Sequence, residues 1–199
     1  MKILNIEQIK KLLAQIDRNV AKGAMYYVVL VLLLDTGLRI SELINIKLAD
    51  MDLMQGFVQV MGKGQKVRTV PFSKLTRKEL LHYVNTFWSQ LCPADSPYLF
   101  ATSKGPNISV NSVQQFLRRL AKKTGLNGIR VSPHSFRHTF ATMAVAGGAN
   151  VFTLKDIMGH RSLQTTMGYI KQQPEEIQLQ HAAFSPWQSS LAAKVTSRN

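Results

Sequence analysis

Phe57-Val58-Gln59-Val60-Met61-Gly62-Lys63-Gly64-Gln65-Lys66-Val67-Arg68-Thr69-Val70-Pro71 is the stretch where the pattern of this chain changes. Its two arms alternate apolar and polar residues, as strands with one buried face do. Gly62 and Gly64 supply the turn between them, so the segment predicts a β-hairpin that Pro71 closes. A third short strand is expected at Tyr98-Leu99-Phe100. Outside these segments the period is helical, which makes the expected fold class mainly α (α+β): a helical domain with a small three-stranded antiparallel β-sheet.

Upstream, Ile6, Ile9, Leu12, Leu13 and Ile16 lie on one face of a helix expected from Asn5 through Arg18, with Asn5 as N-cap. The nearly all-apolar run from Ala24 to Thr36 predicts a buried helix ended by Gly37, and a third helix starts near Arg39 and runs to about Ile46. Downstream, helices are expected at 74–91, 109–124, 134–146, 151–158, 162–169 and 174–183. Breaks are expected at 92–97, 103–107, 125–133 and 147–150, where Gly, Pro, Ser and Asn gather. The final residues, 185–199, lack helical periodicity and are expected to be a flexible tail. No repeat or composition shift marks a second domain.

At 199 residues and 45% hydrophobic composition the chain can bury one substantial core without disulfides. Cys92 is the single cysteine and no secretion-type opening is visible, so a reducing cytoplasmic location is expected. The apolar run from Tyr26 to Leu34 is short of the roughly 20 residues a bilayer requires, so no membrane is expected. Net charge is +14, from 25 Lys and Arg against 11 Asp and Glu, which favours a polyanionic partner through counterion release. Because the basic residues are spread along the chain, nucleic acid is favoured over an anionic lipid surface or a basic face without a partner.

The polar residues left after the core is assigned include Arg39, Arg137, His134, His160 and Tyr169. Two guanidiniums can clamp the non-bridging oxygens of one phosphodiester, histidines can move protons, and a phenol can attack phosphorus. His134 and Arg137 sit one turn apart at a helix start, where free backbone amides favour an anion. His160 follows Gly159 at a junction, and Tyr169 follows Gly168. Lys63 at the hairpin tip can give a proton to a leaving oxygen. Glu42, three residues after Arg39, can orient it. Each residue also has a plainer reading: a capping or loop histidine, a core tyrosine, a solvated turn lysine, a surface glutamate. A metal reading of His134 and His138 with His160 is weak, because Ser135 stands where a zinc hydrolase needs its glutamate. Gly62-Lys63-Gly64 lacks the spacing of a phosphate-binding nucleotide loop, so no cofactor and no metal are expected.

In combination, Thr36-Gly37-Leu38-Arg39-Ile40-Ser41-Glu42-Leu43, the Gly62–Pro71 segment, Pro133-His134-Ser135-Phe136-Arg137-His138 and Met158-Gly159-His160 through Tyr169 resemble, in order, the catalytic blocks of the tyrosine recombinase or phage integrase family. The resemblance runs from about Ile3 to beyond Tyr169 and departs at Lys171, where many members carry His or Thr. It implies that Arg39 and Arg137 hold the scissile phosphate, His134 and His160 assist, Lys63 protonates the leaving oxygen, Glu42 supports Arg39, and Tyr169 attacks to form a 3′-phosphotyrosine. It further implies double-stranded DNA as partner and a homo-oligomer, a tetramer on DNA and possible monomer when free. Residues 1–184 are then the catalytic domain, and the amino-terminal DNA-clamping domain of most relatives is absent. Ile177, Leu179, Ala182, Ala183, Phe184 and Trp187 form a patch suited either to a neighbouring copy or to the chain's own core. Two other functions stay open: a recombinase-derived regulator that binds DNA without cutting, and a nicking-closing enzyme of the type IB topoisomerase kind.

Overall fold

The computed structural model describes residues 3–62, 66–93, 95–102, 105–126, 128–160 and 162–169. Helix α1 (Ile6–Ala14) begins at Asn5, whose side chain accepts from the Gln8 amide at 2.9 Å while Gln8 returns a bond to the Asn5 amide at 3.0 Å. That reciprocal pair is the expected cap with its partner supplied. Helix α2 (Ala21–Thr36) is apolar on every side and therefore central: Met25, Val29, Leu30, Leu32 and Leu33 are almost fully buried. Gly37 ends it in the left-handed region at φ 60°. The next helix is shorter than expected, α3 (Ile40–Leu43), with Arg39 as its N-cap.

The hairpin forms as read, β2 (Phe57–Met61) with β3 (Val67–Pro71), Val58 opposite Val70 and Val60 opposite Arg68. Val58, Val60 and Val70 face the core, and Phe57 and Met61 face out. The sheet has three antiparallel strands, but the third is β1 (Met51–Asp52), not Tyr98–Phe100. Tyr98 makes only an isolated bridge to Lys47, and Leu99 and Phe100 are core residues. An apolar triplet signals burial, whereas strand pairing needs a neighbour. Met51 and Asp52 obtain one because the Asp52 carboxylate accepts from the Met54 and Gln55 amides, tightening the turn into β2.

Helix α4 (Lys74–Tyr83) continues through a wide π turn (Val84–Trp88) into α5 (Ser89–Leu91). Helix α6 (Val110–Lys123) docks on α2 by stacking Phe116 on Tyr26, centroids 4.0 Å apart. Helix α7 (Pro133–Ala146) packs across α2 and receives the chain start through Leu4 N–H donating to Thr139 at 3.0 Å. Helix α8 (Val151–Met158) matches its expected span, and α9 (Leu163–Met167) stops short of Tyr169. Leu154 and Met158 form a second small core with Ala141, and Tyr169 packs against it. The expected helix 174–183, the apolar patch and the tail lie outside the described residues.

Gly37 is where core and site meet. A Cβ there would lie 2.2 Å from the Phe140 ring, on top of the unfavourable positive φ. Gly37→Ala is expected to destabilise the protein by about 2–4 kcal/mol, read from the shift of a urea unfolding curve.

Candidate active site

The carboxylate of Glu42, 6% exposed, is the hub of the site. Its Oε2 accepts from the Arg39 amide at 2.9 Å and its Oε1 from the Arg39 guanidinium at 3.0 Å. From β3, Arg68 donates to both carboxylate oxygens, at 3.0 and 2.8 Å. The Nε of Arg68 donates to the Ile157 carbonyl at 2.9 Å, so one side chain joins the hairpin, the start of α3 and the end of α8. Sequence reading assigned Arg68 no role. The available signal was its register: two residues from Val70, it shares the core-facing side, where a charge needs a buried partner.

Arg39 also donates to the Gly159 carbonyl at 3.2 Å. Gly159 ends α8 at φ 63°, and a Cβ there would come within 2.9 Å of the Arg68 guanidinium, so this position needs glycine twice over. Arg137 on α7 is itself buried, at 8% exposure. It donates to the Gly37 carbonyl, to the Met158 carbonyl at 2.9 Å and to His160 Nε2 at 2.9 Å. The other nitrogen of that ring, Nδ1, lies 2.9 Å from the Thr166 hydroxyl. Tyr169 presents its ring nearly parallel to His160, centroids 6.5 Å apart, and tilted against His138 at 5.0 Å.

Five sequence-predicted residues, Arg39, Glu42, Arg137, His160 and Tyr169, thus belong to one connected cluster. His134 does not join it by any described contact. It is exposed on the first turn of α7 and lines a separate groove with Gln114, Arg118, Lys122 and Arg130. Arg137 points inward from the same helix, so one-turn spacing has placed the two side chains at different depths. Lys63 lies outside the described residues. A cleft of about 970 Å³ opens beside the cluster and is lined in part by Arg39, Glu42, Lys47, Gln59, Gly159 and His160.

Positive charge exceeds negative here, three arginines around one carboxylate. Burial pushes the Arg137 pKa down to about 10, with Arg39 adding to the effect. Burial, followed by Arg137, Arg39 and Arg68, pushes His160 down to about 4, so its imidazole is neutral at pH 7. Burial alone would raise Glu42, but the bonds from Arg68 and Arg39 outweigh it and hold the carboxyl below its usual value. Such a surplus of fixed cationic donors suits a phosphodiester.

Residues 2–176 match the model of the phage integrase family, and the chain belongs to that family. It is 38% identical to tyrosine recombinase XerC of Staphylococcus epidermidis over 164 residues, covering 82% of this chain and 54% of that protein. Among solved structures, the crystal structure of XerA recombinase superimposes with a TM-score of 0.74 at 28% identity, covering 94% of this chain and 66% of the other. XerH site-specific recombinase, in a pre-cleavage complex with its difH substrate, gives a TM-score of 0.77 at 23% identity, covering 93% of this chain and 55% of the other. The chain spans about half the length of the curated relatives it matches.

The His160 shift fixes a pH dependence. An unfolded histidine takes up its proton near 6.5, the folded one only near 4, so between those values the unfolded state binds more protons and stability is lost as the pH is lowered. Glu42, held low, adds loss of the same sign at lower pH. The thermal midpoint is expected to fall from pH 6.5 to 4. His160→Gln should flatten the upper part of that decline and leave the carboxylate part.

Proposed function

We propose that this chain carries out the strand-cleaving and rejoining chemistry of a site-specific DNA recombinase through a covalent 3′-phosphotyrosine. The observation that carries this reading is the convergence of Arg39 and Arg137 on the two sides of the Gly159-His160 junction, beside Tyr169. At present both guanidiniums satisfy neutral carbonyls. A phosphodiester oxygen, being charged, is a stronger acceptor and can compete for the same donors.

In the proposed reaction the Tyr169 oxygen attacks phosphorus, the P–O5′ bond breaks, and the phenolic proton passes to a histidine while Lys63 supplies one to the leaving 5′ oxygen. The transition state concentrates negative charge on the non-bridging oxygens, so preorganised arginines bind it more tightly than the ground state. Glu42 keeps Arg39 oriented, and His134 and His160 assist as proton carriers or hydrogen-bond partners. The phosphotyrosine conserves the bond energy of the backbone, so attack by another 5′-hydroxyl rejoins strands without ATP.

Double-stranded DNA is the proposed partner, supported by the net charge of +14 and by the DNA complex of XerH. We read residues 1–184 as the part that carries the chemistry. Exchange between two duplexes needs four such sites, hence a tetramer on DNA. No helix among the described residues is long and apolar enough to cross a membrane.

Tyr169→Phe is expected to leave DNA binding within about twofold while abolishing a denaturant-resistant protein–DNA adduct on a nicked duplex that traps the cleaved strand. An adduct of wild-type yield would remove Tyr169 as nucleophile. Binding without adduct in the wild type would make the protein a non-cutting DNA-binding regulator. Affinity is also expected to fall steeply and linearly in log–log with salt, measured by fluorescence anisotropy.

A further inference from the structure

Two guanidiniums share the Glu42 carboxylate, and they are not equivalent. The Arg68 side chain is 15% exposed, that of Arg39 39%. Arg68 turns all three of its nitrogens to protein acceptors: one terminal nitrogen to each carboxylate oxygen, at 3.0 and 2.8 Å, and Nε to the Ile157 carbonyl at 2.9 Å. Arg39 gives the carboxylate a single guanidinium nitrogen at 3.0 Å and lines the cleft. The slot that holds the Arg68 head is narrow, since a Cβ on Gly159 would lie 2.9 Å from it and one on Gly62 3.3 Å.

A carboxylate with one guanidinium is a neutral pair, and a neutral pair attracts a phosphodiester weakly. A second guanidinium leaves one positive charge over. The fork of Arg68 matches both carboxylate oxygens, so the surplus lies on the more exposed Arg39. Burial would raise the Glu42 carboxyl, and the bond from Arg68 leads those that hold it down and ionised. Without Arg68 the buried carboxylate would draw on Arg39 alone among the described residues, and a substrate phosphate would compete with it for that guanidinium.

We propose that Arg68 is a positioning residue for strand cleavage: its fork neutralises the buried Glu42 carboxylate and so leaves the charge of Arg39 for the scissile phosphate. This rests on the phosphotyrosine reading and adds to it a side chain that touches no substrate. Because Arg68 acts through Glu42, its role is separable from packing. Once that carboxylate is made neutral, Arg68 has nothing to compensate.

Arg68→Met removes the charge, Arg68→Lys keeps it without the fork, and Glu42→Gln removes the charge that Arg68 answers. In single-turnover adduct formation on the nicked duplex at saturating DNA, Arg68→Met is expected to slow cleavage about 10-fold or more with DNA affinity within about threefold of wild type, and Arg68→Lys to lie between the two. Glu42→Gln is itself expected to be slow, because Arg39 loses an orienting partner. The double variant of Arg68→Met with Glu42→Gln is expected to match Glu42→Gln within about threefold, far from the product of two independent losses. An Arg68→Met protein of normal rate overturns the proposal. So does a double variant slower than Glu42→Gln by the full Arg68→Met factor, which would leave Arg68 only packing. If Arg68→Met does not fold, the double variant against Glu42→Gln still decides; a double variant that also fails to fold shows that Arg68 is needed apart from the carboxylate, and overturns the proposal too. If the wild type forms no adduct, the phosphotyrosine reading fails, while a carbon-13 NMR titration of the glutamate-labelled protein still decides the charge pairing. The Glu42 carboxyl is expected to titrate at higher pH in Arg68→Lys than in the wild type, and an unmoved titration overturns the pairing.

Discussion

Glu42 is a carboxylate almost removed from water, held by two arginines from different parts of the fold. A charge in that position is tolerable only because its oxygens are filled by the Arg39 amide and guanidinium and by both terminal nitrogens of Arg68. The consequence is geometric as much as energetic. Arg39 leaves a helix start with its backbone and its head tied to one residue, so its remaining donors point in a set direction. Arg68, tied to the same carboxylate and to the Ile157 carbonyl, brings the end of α8 alongside. Gly159 and His160 then fall where Arg39 and Arg137 can reach them.

The apolar framework makes this arrangement possible by burying the polar cluster's back side. Helix α2 fills the centre of the molecule, and the left-handed turn at Gly37 that ends it delivers Arg39 to the surface and a carbonyl to Arg137. The sheet contributes three valines to the core and, one register step along, the one arginine that must share their face. Burial, reinforced by the surrounding cations, lowers the proton affinity of His160 and Arg137 together, and the imidazole stays neutral among guanidiniums.

Much of this was legible from residue order because the signals were local. Asn5 capped its helix, Gly37 ended α2, and the two alternating arms paired as an antiparallel hairpin. The third strand was misplaced because Tyr98-Leu99-Phe100 carries burial without a pairing partner, while the two-residue strand at Met51 is created by a turn bond and leaves almost no period to read. Arg68 and Thr166 escaped notice for a related reason. A polar residue in an alternating strand and a threonine in a short helix look solvated until the neighbour that needs them is in place. His134 shows what spacing leaves out: it shares the helix of Arg137, but its side chain is exposed where that of Arg137 is buried.

The bonds that close the cleft connect segments far apart in the chain: Arg39 to Gly159 across 120 positions, Arg137 to Gly37 across 100, Arg68 to Ile157 across 89. Loops of that length close late, after local helices and the hairpin have formed. A ribosome therefore releases all of α2, Arg39 and the hairpin with its Arg68 before the α8 terminus that completes the arginine cluster. Nascent chains stopped anywhere short of the α8 terminus would hold folded pieces without the bonds that tie Arg39, Arg68 and Arg137 to it.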